Sequence, residues 1–172
     1  MEQKLTLLPL VGMEWQGQTL PFGASPQEAD GVLGTPDQAG ENRRYYFDSE
    51  LRLDFDRAGR LEFIECMGGP EATLQPELYG LPVFQTDAEE LTELLKEKNG
   101  GDPVDEEEGF SYAFPAISVG LYRELTPAAV DEMVRELARI DLTAMSEFNL
   151  AAEILRAHRW ETVGIGRENY YE

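Results

Sequence analysis

One cysteine and one histidine stand in a chain of 172 residues. With Cys66 alone no internal disulfide can form, so a packed core must hold the fold, and a reducing compartment is permitted. A catalytic triad or Cys–His pair needs a base held against its nucleophile, and a histidine metal site needs several ligands together. His158 falls at the end of a predicted helix, where a partly positive imidazole suits the helix dipole. Cys66 closes a predicted strand beside Ile64 and reads as a small buried hydrophobe. Basic residues are also scarce: 14 Lys and Arg stand against 34 Asp and Glu, a formal net charge of −20. A field of that sign repels phosphate backbones and anionic lipid, so neither nucleic acid nor a membrane surface is an expected partner. It attracts a basic protein, although acidity also serves plain solubility. No apolar run approaches the ~20 residues of a membrane span, and the one near the N-terminus is too short for a signal peptide. A cytoplasmic location is therefore the expectation. Walker, zinc-spacing and nucleophile-elbow motifs are missing. Gly164-Ile165-Gly166 lacks a third glycine, and the chain after it is too short for a phosphate-binding helix.

What is present is architectural. From Tyr45 to Met67 the chain reads as a three-stranded meander. Leu51, Leu53 and Phe55 alternate with Arg52, Asp54 and Asp56, the period of a half-buried strand. Asp56-Arg57-Ala58-Gly59 supplies a turn. Leu61 and Phe63 alternate again, until Ile64 breaks the phase and implies a bulge or a strand buried on both faces. Upstream, Leu5–Val11, Met13–Trp15 and Leu20–Phe22 read as short strands, confined to edges or ends by Pro9 and Pro21. Ser25-Pro26-Gln27-Glu28 is a capping box with proline at the first helical position, and the short helix ends at Gly34.

The order recurs at an offset of 61. Leu81-Pro82-Val83 falls on Leu20-Pro21-Phe22, and Thr86-Asp87-Ala88-Glu89 falls on the capping box, opening a helix with Leu91, Leu94 and Leu95 inward. Phe110–Phe114 and Ile117–Tyr122 then form a second strand pair. Pseudo-repeats at about 13–67 and 74–124 are expected, followed by a C-terminal segment, 125–172. That segment holds a helix after Thr126-Pro127 with Val130, Met133, Val134, Leu137 and Ile140 on one face. A second helix runs from about Leu142 to His158, by the spacing of Met145, Phe148, Ala152 and Leu155. Trp160–Gly166 reads as a last strand, and Tyr170 and Tyr171 predict a docked tail. The expected fold is α+β in a single compact domain: two antiparallel β-meanders from a duplicated strand–helix–meander unit, plus two C-terminal helices.

Two groups of carboxylates could carry chemistry. Asp54, Asp56, Glu62 and Glu65 share adjacent strands and could hold a hard cation. Arg52, Arg57 and Arg60 are interleaved with them, which fits an ion-paired sheet face better. Asp102, Asp105, Glu106, Glu107 and Glu108 form the densest acidic run, without EF-hand spacing. A solvated loop is the plainer reading of that run. Phe110 and Tyr112 follow it, and aromatic anchors beside a charged rim are what protein interfaces use.

Residues 22–37, Phe-Gly-Ala-Ser-Pro-Gln-Glu-Ala-Asp-Gly-Val-Leu-Gly-Thr-Pro-Asp, followed by an aromatic meander, resemble a helix-plus-meander unit of several small bacterial α+β proteins. The ending Trp160 to Tyr171 resembles that of bacterial proteins associated with immunity proteins of polymorphic toxin systems. The resemblance implies a small, acidic, cytoplasmic binding protein without enzyme activity, and it transfers no functional residues. The expectation is thus a non-enzymatic module that binds a basic protein, with Asp102, Asp105, Glu106, Glu107, Glu108, Phe110 and Tyr112 as candidate contacts and no cofactor or metal. The rival readings are a metal-dependent hydrolase or small-ligand protein using Asp54, Asp56 and Glu65, and a housekeeping scaffold.

Overall fold

The structure, a computed structural model, describes residues 3–140 and 150–172. It is α+β, and the strands form two sheets. The first sheet begins with β1 (Gln3–Leu8), β2 (Gly12–Trp15) and β3 (Gln18–Pro21), the three short apolar patches of the sequence. It is completed by β8 (Leu74–Leu78) and β9 (Leu81–Pro82), in the order β3-β2-β1-β8-β9. β1 and β8 pair in parallel, Leu5 opposite Pro76, where only antiparallel meanders were expected.

The second sheet has seven strands. β4 (Gln38–Ala39), β5 (Arg43–Tyr46), β6 (Leu51–Phe55) and β7 (Leu61–Cys66) give the first meander. β10 (Ser111–Phe114), β11 (Val119–Tyr122) and β12 (Thr162–Gly166) give the second. An antiparallel β7–β12 pair joins them into one sheet, β10-β11-β12-β7-β6-β5-β4. The phase break at Ile64 has a local cause. Asp54 faces Phe63 while Phe55 faces Leu61, so Glu62 is the extra residue of a bulge. The bulge returns Leu61, Ile64 and Cys66 to the inner face and turns Phe63 outward; all four are buried. β11 starts two residues later than the alternation implied, because Ser118 takes a φ of 54° in the turn.

Helix α1 (Pro26–Leu33) forms as the capping box requires: Ser25 Oγ accepts from the Glu28 N–H at 3.1 Å. Tyr46 Oη donates to Asp30 at 2.6 Å and ties α1 to β5. Helix α2 (Ala88–Asn99) departs from its predicted start. Asp87, not Thr86, is the N-cap, accepting from Glu89 N at 3.0 Å and Glu90 N at 3.3 Å. Thr86 instead donates to the Pro82 carbonyl at 2.7 Å. An ionised carboxylate complements the helix N-terminus better than a hydroxyl does, so the adjacent aspartate takes the position. One apolar core draws on both sheets and on Ala29, Leu91 and Leu95 of the two helices.

Helix α3 (Pro127–Ile140) is capped by Thr126, whose Oγ1 accepts from Ala129 N at 3.1 Å. With α4 (Leu150–Ala157) it forms a satellite cluster of Leu125, Val130 and Ala157, flanked by Met133 and Val134. The α4 face differs from expectation. Leu155 is 56% exposed, and the packing residue is Ala157, about 200° further round the helix. The part of this helix predicted before Leu150, including Met145 and Phe148, lies outside the described residues.

Candidate functional site

The outer face of the seven-stranded sheet divides into two regions of different electrostatics. On the β5–β7 side the carboxylates are matched by arginines. Asp54 receives Arg43 at 2.7 Å and Arg52 at 3.3 Å, and Arg52 also reaches Glu65 at 3.4 Å. Asp56 and Glu62 lie past the bulge and share Arg167, at 3.7 and 3.3 Å, while Arg60 sits 3.3 Å from Asp56. The strand carboxylates that could have converged on a cation are thereby split into two arginine-bridged groups. Among the described residues no three His, Cys, Asp or Glu side chains come together as ligands.

The middle of this face is covered by the C-terminal tail. Tyr170 stacks on Phe63 at 4.6 Å between ring centres, and Tyr171 meets both rings edge-on. Glycine makes room for them. A Cβ at Gly120 would collide with the Tyr171 ring and hydroxyl, one at Gly164 with the Phe63 ring beside that hydroxyl, and one at Gly166 with the Tyr170 ring. The Gly164-Ile165-Gly166 motif therefore serves close approach of an aromatic tail, and Ile165 between the glycines points into the core. Burial raises the Tyr171 phenol well above its ordinary pKa of 10.0.

Beyond Tyr171, on the β10–β12 side, the face opens into a groove of about 320 Å³. Gly120 and Gly164 form its floor, Glu65 and Tyr171 one wall, and Val104, Glu106 and Glu107 the other. Ser111, Tyr122 and Thr162 add hydroxyls, and among the described residues no basic side chain lines it. Burial raises the Glu65 pKa, against the pull of Arg52. Larger hollows beside Asp56 and beside Glu153, of about 560 and 520 Å³, carry their own arginines and are already ion-paired.

The acidic run forms one wall only in part. Asp102, Asp105, Glu106, Glu107 and Glu108 are all exposed, but only Glu106 and Glu107 line the groove. Asp102 lies 3.9 Å from Lys96, and Asp105 folds back to accept from Gly109 N at 2.9 Å. Val104 anchors the run by a two-way backbone bridge to Ala113. Phe110 is half-buried outside the groove, and the Tyr112 ring packs edge-on against Trp160 at 5.4 Å. Tyr112 nevertheless lines the groove as well, and Tyr122, 39% exposed, and Tyr171 complete its aromatic surface, with Val104 at 46% beside them. Strand alternation puts Ser111, Tyr122 and Thr162 on one face, yet their juxtaposition depends on the β11–β12 register, which no local pattern encodes.

No family model matches this chain, and neither does any curated protein or solved structure. Among the described residues, no helix is long and apolar enough to cross a membrane.

Proposed function

We propose that this protein is a non-enzymatic, cytoplasmic binding module whose acidic groove takes a basic protein, in the manner of an immunity protein that neutralises a basic toxin. The observation that carries the reading is the lining of the groove: Glu65, Glu106 and Glu107, with no basic side chain among them. Elsewhere on the same sheet face, arginines offset the carboxylates. Here only Glu65 has an arginine in reach, Arg52, while Glu106 and Glu107 have no basic partner within ion-pair distance among the described residues; a concave site of one sign focuses the field on an approaching counter-charge. Exposed Val104 and Tyr122 supply the apolar contact that steering alone lacks.

The test is a pull-down from the native organism at low and high salt, with cross-linking mass spectrometry on what is retained. The expected result is a basic protein held at low salt, released as screening shortens the electrostatic range, and cross-linked within residues 104–122. Retention that ignores salt, or cross-links confined to the ion-paired side of the sheet, contradicts the reading.

A further inference from the structure

Arg123 is the most deeply placed cation whose partners are defined. It is 6% exposed, and among the described residues no carboxylate lies within ion-pair distance of it. Arg52, Arg156 and Arg167 are each far more exposed, and each has a carboxylate oxygen within 3.3 Å. A buried charge without a counter-charge is costly unless hydrogen bonds satisfy it. Two of the three guanidinium nitrogens are satisfied. Nε donates to the Gly109 carbonyl and Nη1 to the Ala157 carbonyl, both at 2.9 Å, and the group lies 4.5 Å above the Trp160 ring. Nη2 has no hydrogen-bond partner among the described residues.

Arg123 lines a cavity of about 220 Å³ between α2 and β10. The other walls are Ala88, Thr92 and the Tyr112 ring, with Glu89, Glu93 and Lys96 toward the opening. Lys96 is already engaged by Glu93 at 3.1 Å. Thr92 donates its hydroxyl hydrogen to the Ala88 carbonyl at 2.7 Å, which leaves the oxygen lone pairs to accept. The cavity thus offers the unpartnered Nη2 of the buried Arg123 and, as acceptors, Thr92 Oγ1 on its wall and the exposed Glu89 carboxylate at its rim.

We infer that this cavity binds a small zwitterion of the α-amino-acid class, its carboxylate on Arg123 and its ammonium on Thr92 and Glu89. A guanidinium donor set against hydroxyl and carboxylate acceptors, in a lining of no net charge, selects the class. The lining carries two cations and two carboxylates, so a free dianion such as phosphate would leave an excess of negative charge, whereas a zwitterion leaves none. The volume lies below the range usual for drug-sized ligands, which restricts the side chain to a small one. The site lies outside the acidic groove and is independent of the binding function proposed for it.

The probes are L-alanine, acetate and methylammonium, titrated into the full chain and followed by amide NMR shifts. L-Alanine should give saturable shifts at residues 88–96, 112 and 123 at millimolar concentration, with acetate and methylammonium at least about tenfold weaker. Arg123→Met should abolish the response. Because that variant removes a structural contact, Glu89→Gln, at an exposed position, is the second arm. It should weaken L-alanine about tenfold while leaving acetate unchanged. No saturable shift at these residues, acetate binding as tightly as L-alanine, or an unaltered Glu89→Gln response would each overturn the assignment.

Discussion

Single residues show most directly how close approach shapes this protein. Gly120 lies under Tyr171 and Gly164 under Phe63, on which Tyr170 stacks, so a side chain at either must displace a ring that holds the tail. Gly164→Ala should cost about 1–3 kcal/mol, the usual penalty for overpacking. Urea denaturation would measure the loss, and hydrogen exchange should show Tyr170 and Tyr171 deprotected first. An unaffected tail would mean that it does not rest on the glycines. The same burial predicts alkaline behaviour. Tyr46 and Tyr171 have folded pKa values raised above 10.0, chiefly by desolvation, with Asp30 adding to the effect at Tyr46. A raised folded pKa contributes stability that is complete below the unfolded value and is lost as pH rises through the folded one. The protein should therefore lose stability above about pH 10, where unfolded tyrosines ionise. In a spectrophotometric titration two of the seven tyrosines should ionise only as the chain unfolds. Seven tyrosines titrating together and reversibly near their ordinary pKa would contradict this.

At the scale of elements, what the sequence made legible was whatever local periodicity encodes. The meander from Tyr45 to Met67, both central helices and the final strand follow from alternation, capping residues and glycine stops. Longer-range features did not. β8 contains Pro76, which argues against an internal strand, yet Pro76 lies opposite Leu5 in β1 and still accepts a hydrogen bond from Val83 N through its carbonyl. The start of α2 was ambiguous because Thr86 and Asp87 are both good caps and stand side by side. That ambiguity can be tested. Asp87→Ala should cost about 1 kcal/mol in urea denaturation, as N-cap removal typically does. Thr86→Ala should cost less, since the Pro82 carbonyl keeps the backbone N–H of residue 86 as a donor. The reverse ranking would return the cap to Thr86. Of the candidate site, sequence supplied Glu106 and Glu107 on one wall and the Tyr112 ring. Glu65, Tyr122 and Tyr171 come from three distant segments, and only the sheet order β11-β12-β7 and the tail crossing it bring them together.

Taken as a whole, the described elements run β1 to β3, α1, β4 to β9, α2, β10 and β11, then α3, α4 and β12, so the stretch after α1 holds four strands before β8 and the stretch after α2 only two before α3. The two meanders meet at β7 and β12, and the helices α3 and α4 intervene in the chain before β12 closes the second one. One consequence is that the charge is unevenly offset across a single continuous sheet: arginines cover the β5–β7 end and leave the β10–β12 end bare. With a net charge of −20, self-repulsion should make the melting temperature rise with added salt, as screening relieves the excess. A falling midpoint would mean that the ion pairs outweigh the repulsion. The most direct test of the groove itself is the association rate of a captured basic partner with two charge-matched double variants. One is Glu106→Gln with Glu107→Gln, on the groove wall. The other is Glu132→Gln with Glu136→Gln, on the exposed face of α3. Both remove the same net charge, so only position differs. The groove variant should associate several-fold more slowly at low salt, with the difference vanishing at high salt and the α3 variant near the native rate. Equal rates for the two variants would show that the partner responds to net charge alone and that the groove is not where it binds.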